Sequence, residues 1–390
     1  MSYIWPLMKD TITWGDKWEM IKFILTTKQF TNGPKVRKFE NEWSKWLGCK
    51  YSLYVTSGST ANLLLMASVK ERYGLKDGDK VLVPACTWVT NVAPVIQCGL
   101  QPIFCDVNSS NYSFDPDHLL AISRKHNIKV VFTTHLLGYS ADLDFYKKTF
   151  PEAIFLDDVC ESHGCLDSDG TKVGANSTGA TFSFYFGHHM TTIEGGFVCT
   201  NDYKLYSLMK SKRSHGLARE LPPEDFEKVK KEHPDLNPHF LFITEGYNVR
   251  NHEICGVLGS SQLRRLDNMI AIRKRNYKMF YDIILKYSEH FYVPSGSDSN
   301  SSYAFPLVAK DVNLANKIKA NLQAAGIETR PIVSGNLLRQ PFLKGYILEG
   351  GLDKPSYIET LHKNGVYVGN NHFVSKKELQ LLDKVIGDSI

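Results

Sequence analysis

The sequence predicts an α/β fold built on a mainly parallel sheet, followed by a smaller α/β unit. Three observations carry this expectation. From Tyr51 to Asp157 short apolar strands alternate with amphipathic helical stretches, the rhythm of βαβ crossovers. After Asn251 the texture changes to one long helical pattern and then strand–helix–strand. The chain has 390 residues, 43% of them apolar, enough for one large core and a smaller one at about 150 residues per domain. The expected units are residues 1–250 and 251–390.

In chain order, Asp16 is placed to cap a helix running through Thr27, and Thr31-Asn32-Gly33-Pro34 reads as a turn. A second amphipathic helix then runs to Leu47 and stops at Gly48. Tyr51 to Thr56 alternates like a strand and enters Ser57-Gly58-Ser59-Thr60, which opens a helix toward Tyr73. A strand, Gly/Ser turn and helix in that order leave backbone N–H groups free to cradle a phosphate. An ordinary capped helix would look the same. Strands follow at Lys80–Pro84, Pro102–Asp106, Lys129–Thr133 and Ala153–Asp157, with helices near Asn91–Gln97, Asp115–Lys125 and Asp142–Thr149. In such a sheet, ligands lie at the carboxyl ends of the strands. Phe182 to Phe186 reads as the end of a buried strand broken by Gly187; His188 and His189 follow, and Glu194-Gly195-Gly196 turns into a strand Phe197–Thr200. Leu221 to His239, rich in Pro, Glu and Lys, reads as a surface excursion. The later part is a long helix from Cys255 toward Tyr287, a loop Pro294–Ser302, then strand Ala304–Ala309, helix Asn313–Ala325 and strand Ile327–Pro331.

Composition excludes several classes. A net charge of +5, from 46 basic and 41 acidic residues, suits an anionic metabolite but is too mild for binding nucleic acid. The eight cysteines are scattered through apolar contexts, without Cys-x-x-Cys or Cys-x-Cys spacing. They read as free thiols in a reducing compartment, with neither a metal site nor a disulfide framework. Met1 to Asp10 lacks the pattern of a signal peptide, and no apolar stretch approaches a membrane span. The expectation is a soluble cytoplasmic protein with no membrane partner.

The stretch from Ser183 to Gly196 resembles the cofactor-lysine segment of the pyridoxal-phosphate sugar aminotransferases of the DegT/StrS type: Ser-Phe, a few variable residues, Lys, a Thr-rich run, then Glu-Gly-Gly. Ser183 and Glu194-Gly195-Gly196 match, but His188 stands at the lysine position. The resemblance extends to Gly33-Pro34, Phe39-Glu40 and Gly48, to Val83-Pro-Ala-Cys-Thr-Trp88, to Asp158-x-x-Glu161, and to Glu245-Gly-Tyr-Asn248-Val-Arg250. It implies a type I aminotransferase fold and a homodimer with shared active sites. It also implies roles. Gly58, Ser59 and Ser183 would grip the cofactor phosphate, Trp88 would stack on the ring, and Asp158 would pair with the ring nitrogen. Glu161, where relatives have Gln, would meet the ring hydroxyl if one partner keeps a proton. Asn248 would reach the neighbouring subunit's phosphate and Arg250 its substrate. His215, Arg219 and Arg330, with Arg213, are basic groups suited to a diphosphate or carboxylate. Taken singly, each has a plainer explanation as strand-end acid, core tryptophan, turn or surface cation. On an extended segment neighbouring side chains diverge, so His188 takes the lysine's place and His189 is expected to be structural.

The substitution at the lysine position carries the functional expectation. A lysine there would hold the cofactor covalently; an imidazole cannot, and remains as a base with a pKa near neutrality. Within the family this form is similar to the nucleotide-sugar 3-dehydratases of colitose and O-antigen lipopolysaccharide synthesis. That similarity implies non-covalent pyridoxamine/pyridoxal 5′-phosphate and GDP-4-keto-6-deoxy-D-mannose as substrate. His188 would remove a proton from the cofactor's C4′ carbon while the sugar's C3 hydroxyl leaves as water. L-glutamate would then restore the amine form, and ammonia would be released. Three alternatives stand beside it. An iron–sulfur CDP-sugar dehydrase would want clustered cysteines, which this chain does not show in sequence. A nucleotide-sugar aminotransferase would lack its lysine. The third alternative is a catalytically inactive cofactor-binding homologue.

Overall fold

The computed structural model describes residues 3–296, 298–346 and 356–390; Ser297, within the anticipated loop Pro294–Ser302, lies outside them. Helix α1 (Trp14–Thr26) begins at Thr13 rather than Asp16. The Thr13 hydroxyl accepts the Asp16 N–H while the Asp16 carboxylate accepts the Thr13 N–H at 2.8 Å. Asp16 is therefore the third helical residue of a capping box, not the cap itself. Helix α2 (Pro34–Leu47) starts at its proline and stops at Gly48, whose φ of 92° is left-handed. Both helices pack on the long helix Glu253–Lys286.

The large sheet contains β1 (Tyr51–Val55), β2 (Lys80–Pro84), β3 (Gln101–Cys105), β4 (Ile128–Thr134), β5 (Ile154–Asp158), β6 (Gly179–Ser183) and β7 (Gly196–Thr200). Their spatial order is β1-β7-β6-β5-β4-β2-β3. Pairing is parallel from β3 to β6, and β7 runs antiparallel to both its neighbours. Helix α3 (Gly58–Tyr73) packs across β6 and β7. Most strands lie within a residue of their expected bounds, but β6 ends at Ser183, short of Phe186. There the chain leaves the sheet: the Phe184 N–H donates to Gly195 O at 2.9 Å, and the Thr192 N–H donates to Phe184 O at 3.0 Å. This closes residues 184–195 into a loop and leaves Tyr185 48% exposed. The polar stretch after Leu221 forms helix Pro223–Glu232, which buries none of its residues.

A second, antiparallel sheet has the order β10-β11-β9-β8, from β8 (Phe291–Tyr292), β9 (Ala304–Ala309), β10 (Thr329–Pro331) and β11 (Gly365–Gly369). Strand β11, central in this sheet, was not anticipated. Trp5 anchors the N-terminal segment here, its indole donating to Gly369 O at 3.0 Å. Trp5, Ala85, Cys86 and Leu136 share one apolar cluster with Phe305, Leu307 and Val368. The two sheets are thus joined by a common core, and the seam runs past the carboxyl ends of β2, β4, β5 and β6. Among the described residues no helix is long and apolar enough to cross a membrane.

Candidate active site

A cavity of about 450 Å³ opens at that seam. Gly58, Ser59, Trp88, Asp158, Glu161, Ser183 and His188 line it from the large sheet, and Arg273, Tyr303 and Arg330 line it from the other side. The strand ends bring together residues more than a hundred positions apart, as parallel crossovers do.

At one end the Ser57 hydroxyl caps α3 by accepting the Thr60 N–H at 3.1 Å. The N–H groups of Gly58 and Ser59, in the first turn, have no acceptor within the helix. A Cβ on Gly58 would stand 2.7 Å from Ser183 Cβ and 3.1 Å from Cys160 Sγ, so only glycine fits. Two backbone donors at a helix N-terminus beside the Ser183 hydroxyl make a cradle for a phosphate.

Asp158 sits deeper, 4% exposed. One carboxylate oxygen accepts from Asn62 Nδ2 at 2.8 Å and the other from the Cys160 N–H at 2.9 Å. The Asn62 amide is itself oriented by the Thr181 hydroxyl, which donates to its oxygen at 2.6 Å. Asn62 was missed in sequence, although it is the one amide in the apolar run Ala61–Ala67. Glu161 accepts the Leu137 N–H at 2.9 Å. Burial pushes its carboxyl up to about 7; the Leu137 bond opposes this and the Asp158 charge adds to it. Trp88, 57% exposed, stands at the rim.

His188 is partly buried, and its N–H donates to Tyr185 O at 3.0 Å. Its ring lies 5.7 Å from that of Tyr303. Burial first, and then the Arg273 cation, lower its pKa to about 4. The expected near-neutral value is thus not met, because the imidazole sits in an apolar wall beside a positive charge. His189 points away from the cavity: it is fully buried, with Nδ1 3.3 Å from His163 Nδ1 and Nε2 3.2 Å from Ser301 O. The two neighbours diverge as expected, although residues 186–190 form a turn and bends rather than a strand.

Arg330 lines the cavity with Nη2 3.7 Å from a Glu328 carboxylate oxygen. His215, Arg219, Asn248 and Arg250 do not line it. Arg250 Nε donates to Asn248 Oδ1 at 3.1 Å, and Arg219 donates to His239 O at 3.2 Å while lying over the Phe240 ring. His215 is exposed, with a left-handed φ of 65°. Arg213 is corrected as a ligand candidate. It is 2% exposed and donates to Glu40 Oε1 at 2.6 Å and Tyr54 O at 2.9 Å, an internal ion pair tying α2 to β1. Arg273, also missed in sequence, is 3% exposed and donates to the backbone oxygens of Tyr303 and Asn370. It forms no ion pair among the described residues. Nothing in the helical pattern around it separates it from a surface arginine.

The cradle, the fixed carboxylate, the rim tryptophan and the imidazole fit a phosphorylated pyridine cofactor. The comparisons agree. The model of the DegT/DnrJ/EryC1/StrS aminotransferase family matches residues 14–353. The GDP-4-keto-6-deoxy-D-mannose 3-dehydratase of Escherichia coli O55:H7 (strain CB9615 / EPEC) is 34% identical over 395 residues, spanning 98% of this chain and 99% of that protein. The solved structure of an E. coli GDP-4-keto-6-deoxy-D-mannose-3-dehydratase with bound hydrated PLP aligns with a TM-score of 0.89 at 31% identity, covering 99% of this chain and 100% of that one. A GDP-4-keto-6-deoxymannose-3-dehydratase with a trapped PLP-glutamate geminal diamine aligns at 0.88 and 31% identity, over 98% and 100%. With its family match spanning most of the sequence and the same fold over nearly its full length, the chain belongs to the DegT/DnrJ/EryC1/StrS aminotransferase family.

Proposed function

We propose that the protein is a pyridoxamine/pyridoxal 5′-phosphate-dependent 3-dehydratase of a nucleotide-linked 4-keto-6-deoxyhexose. The observation that carries this is His188, at the family's lysine position, facing one cavity with Asp158, Ser183 and the start of α3. Bound there, the cofactor supplies an electron sink through which the C3 hydroxyl beside a 4-keto group can be expelled. The chain does the rest. Gly58, Ser59 and Ser183 hold the phosphate. Asp158, kept in place by Asn62, holds the proton on the ring nitrogen. Glu161, its carboxyl raised to about 7 and so near half-protonation at neutral pH, would share a proton with the ring hydroxyl. With its pKa lowered to about 4, His188 is neutral near pH 7, and its free nitrogen would be the base that takes the proton from C4′. Once charged, the same imidazolium would be the acid that returns the proton to the departing hydroxyl. Arg330, which lines the cavity, would meet a carboxylate or diphosphate there.

The substrate we assign is GDP-4-keto-6-deoxy-D-mannose, with L-glutamate restoring the amine form and ammonia released; the relatives' names support both. The working unit is a cytoplasmic homodimer serving colitose-type deoxysugar and lipopolysaccharide synthesis, with Asn248, Arg250, His215 and Arg219 presented to the neighbouring site. A turnover assay with that sugar nucleotide and glutamate, read by mass spectrometry, should yield the 3-deoxy ketosugar. A 4-amino sugar or unchanged substrate would sink the assignment. Borohydride treatment of the loaded enzyme should leave every lysine unmodified, including Lys9, which lines the cavity.

A further inference from the structure

Behind His188 lie two imidazoles that the reaction as described does not use. His163 and His189 are both fully buried, and burial holds each well below the ordinary histidine range. Both are therefore neutral, each with one N–H and one bare nitrogen. His189 Nε2 lies 3.2 Å from Ser301 O. A carbonyl can only accept, so His189 carries its proton on Nε2 and its Nδ1 is bare. His163 Nδ1, 3.3 Å from that bare nitrogen, must then be the donor. This leaves His163 Nε2 as a lone pair. It is buried and has no hydrogen-bond partner.

The His188 and His163 rings lie 6.1 Å apart. His188 Nδ1 is also buried without a partner. In the tautomer that leaves Nε2 bare for chemistry, that Nδ1 carries a proton. A buried orphan donor and a buried orphan acceptor thus occupy neighbouring rings, and leaving both unpaired is costly. Of the other groups around them, the Ser183 backbone carbonyl only accepts, so it competes with His189 for the His163 N–H and leaves the bare nitrogen unfilled. Trp43, Phe182 and Phe184 pack on His163 as rings, Tyr303 packs on His188 and His189, and Arg273 is a cation that only donates.

We infer that His163 is the positioning residue for His188: its bare Nε2 accepts the His188 Nδ1–H, through one water or a small closure of the rings, and so keeps His188 Nε2 as the free base facing the cavity. The adjacent pair in sequence is then one device. His189, set by Ser301 O, fixes the tautomer of His163, and His163 fixes that of His188. The identity of a histidine's reactive nitrogen is set in this way by what its other nitrogen meets.

This rests on His188 being the base, but its test does not require turnover. Nitrogen-15 NMR of histidine-labelled protein, with His188 identified by difference against His188→Asn, reports which nitrogen is protonated. The wild type should show His188 protonated on Nδ1 at neutral pH; protonation on Nε2 would overturn the inference without any variant. His163→Phe keeps an aromatic ring but removes the acceptor, and should mix the two His188 tautomers. Its kcat should fall about 10–100-fold, the usual cost of losing such a partner, with KM for the sugar nucleotide unchanged. His163→Gln, which retains an acceptor oxygen, should recover most of both. An unmixed tautomer in folded His163→Phe would refute the role. If that variant does not fold, His189→Phe, which frees the His163 tautomer, gives the same readout. Dehydration surviving in His188→Asn would instead sink the base assignment and leave the tautomer result to stand by itself.

Discussion

Glu161 shows how much one residue's setting changes its chemistry. In sequence it is a glutamate at a glutamine position, and its use depends on a proton being present. Burial supplies that condition by pushing the carboxyl up to about 7 from an ordinary 4.5. The sign of the linkage follows. The folded state binds this proton more tightly than the unfolded chain does, so the stabilisation is complete below the unfolded value and is lost as pH rises through 4.5 toward about 7. Glu161→Gln lacks this ionisation. Thermal melts of the cofactor-free protein should show the wild type losing ground to the variant across that window, with a constant gap above it. A gap independent of pH would place the titration elsewhere. His188 illustrates the reverse direction, since the same burial that protonates an acid deprotonates an imidazole.

Among the elements, the start of α3 joins local rule to tertiary demand. Its glycine-led first turn was legible in the sequence, whereas the capping box between Ser57 and Thr60 is a finding of the structure. Helix propensity alone predicts that Gly58→Ala would stabilise the helix by up to about 1 kcal/mol. The structure predicts the opposite sign. The added methyl would sit 2.7 Å from Ser183 Cβ, and Ser183 is held in β6, paired with Gly196 of β7. Helix or strand must move, at a cost of about 1–3 kcal/mol, and the phosphate cradle opens with it. Chemical denaturation should show the loss, and titration with pyridoxal phosphate should show weakened binding. A more stable variant with full cofactor affinity would mean that α3 can slide freely.

For the whole molecule, the distribution of the candidate residues is the informative feature. Gly58, Ser59, Trp88, Asp158, Glu161, Ser183, His188 and Arg330 converge on one cavity, whereas His215, Arg219, Asn248 and Arg250 lie outside it. The surface also carries large exposed apolar side chains: Ile193 at 55%, Phe240 at 66% and Phe242 at 59%. Phe240 and Phe242 stand beside the outlying basic group, since Arg219 lies over Phe240 and Leu217 bridges Phe242. Both facts suit a second copy of the chain receiving these residues. Mixing inactive His188→Asn subunits with inactive Asn248→Ala subunits tests it, because a hybrid dimer would hold one intact site. Activity should partly return; none after proven subunit exchange would mean that Asn248 serves its own subunit.

The sequence by itself determined the local units. The helix stop at Gly48, strands β2 and β9, and the Gly/Ser turn before α3 depend on backbone preferences and apolar period, which act over a few residues. It also displayed the histidine at the lysine position, because that signal is a residue type at a spacing. What only the tertiary structure decided is which groups meet. Asn62 finds Asp158 across 96 positions, Arg213 turns inward to Glu40 across 173, and Arg273 enters the cavity wall from a long helix whose sequence pattern does not single it out. Strand β11 became central through partners on both sides, at Thr329–Pro331 and Ala304–Ala309. Protonation belongs to the same class. Burial and neighbouring charge, which exist only after the chain has packed, put Glu161 near 7 and His188 near 4.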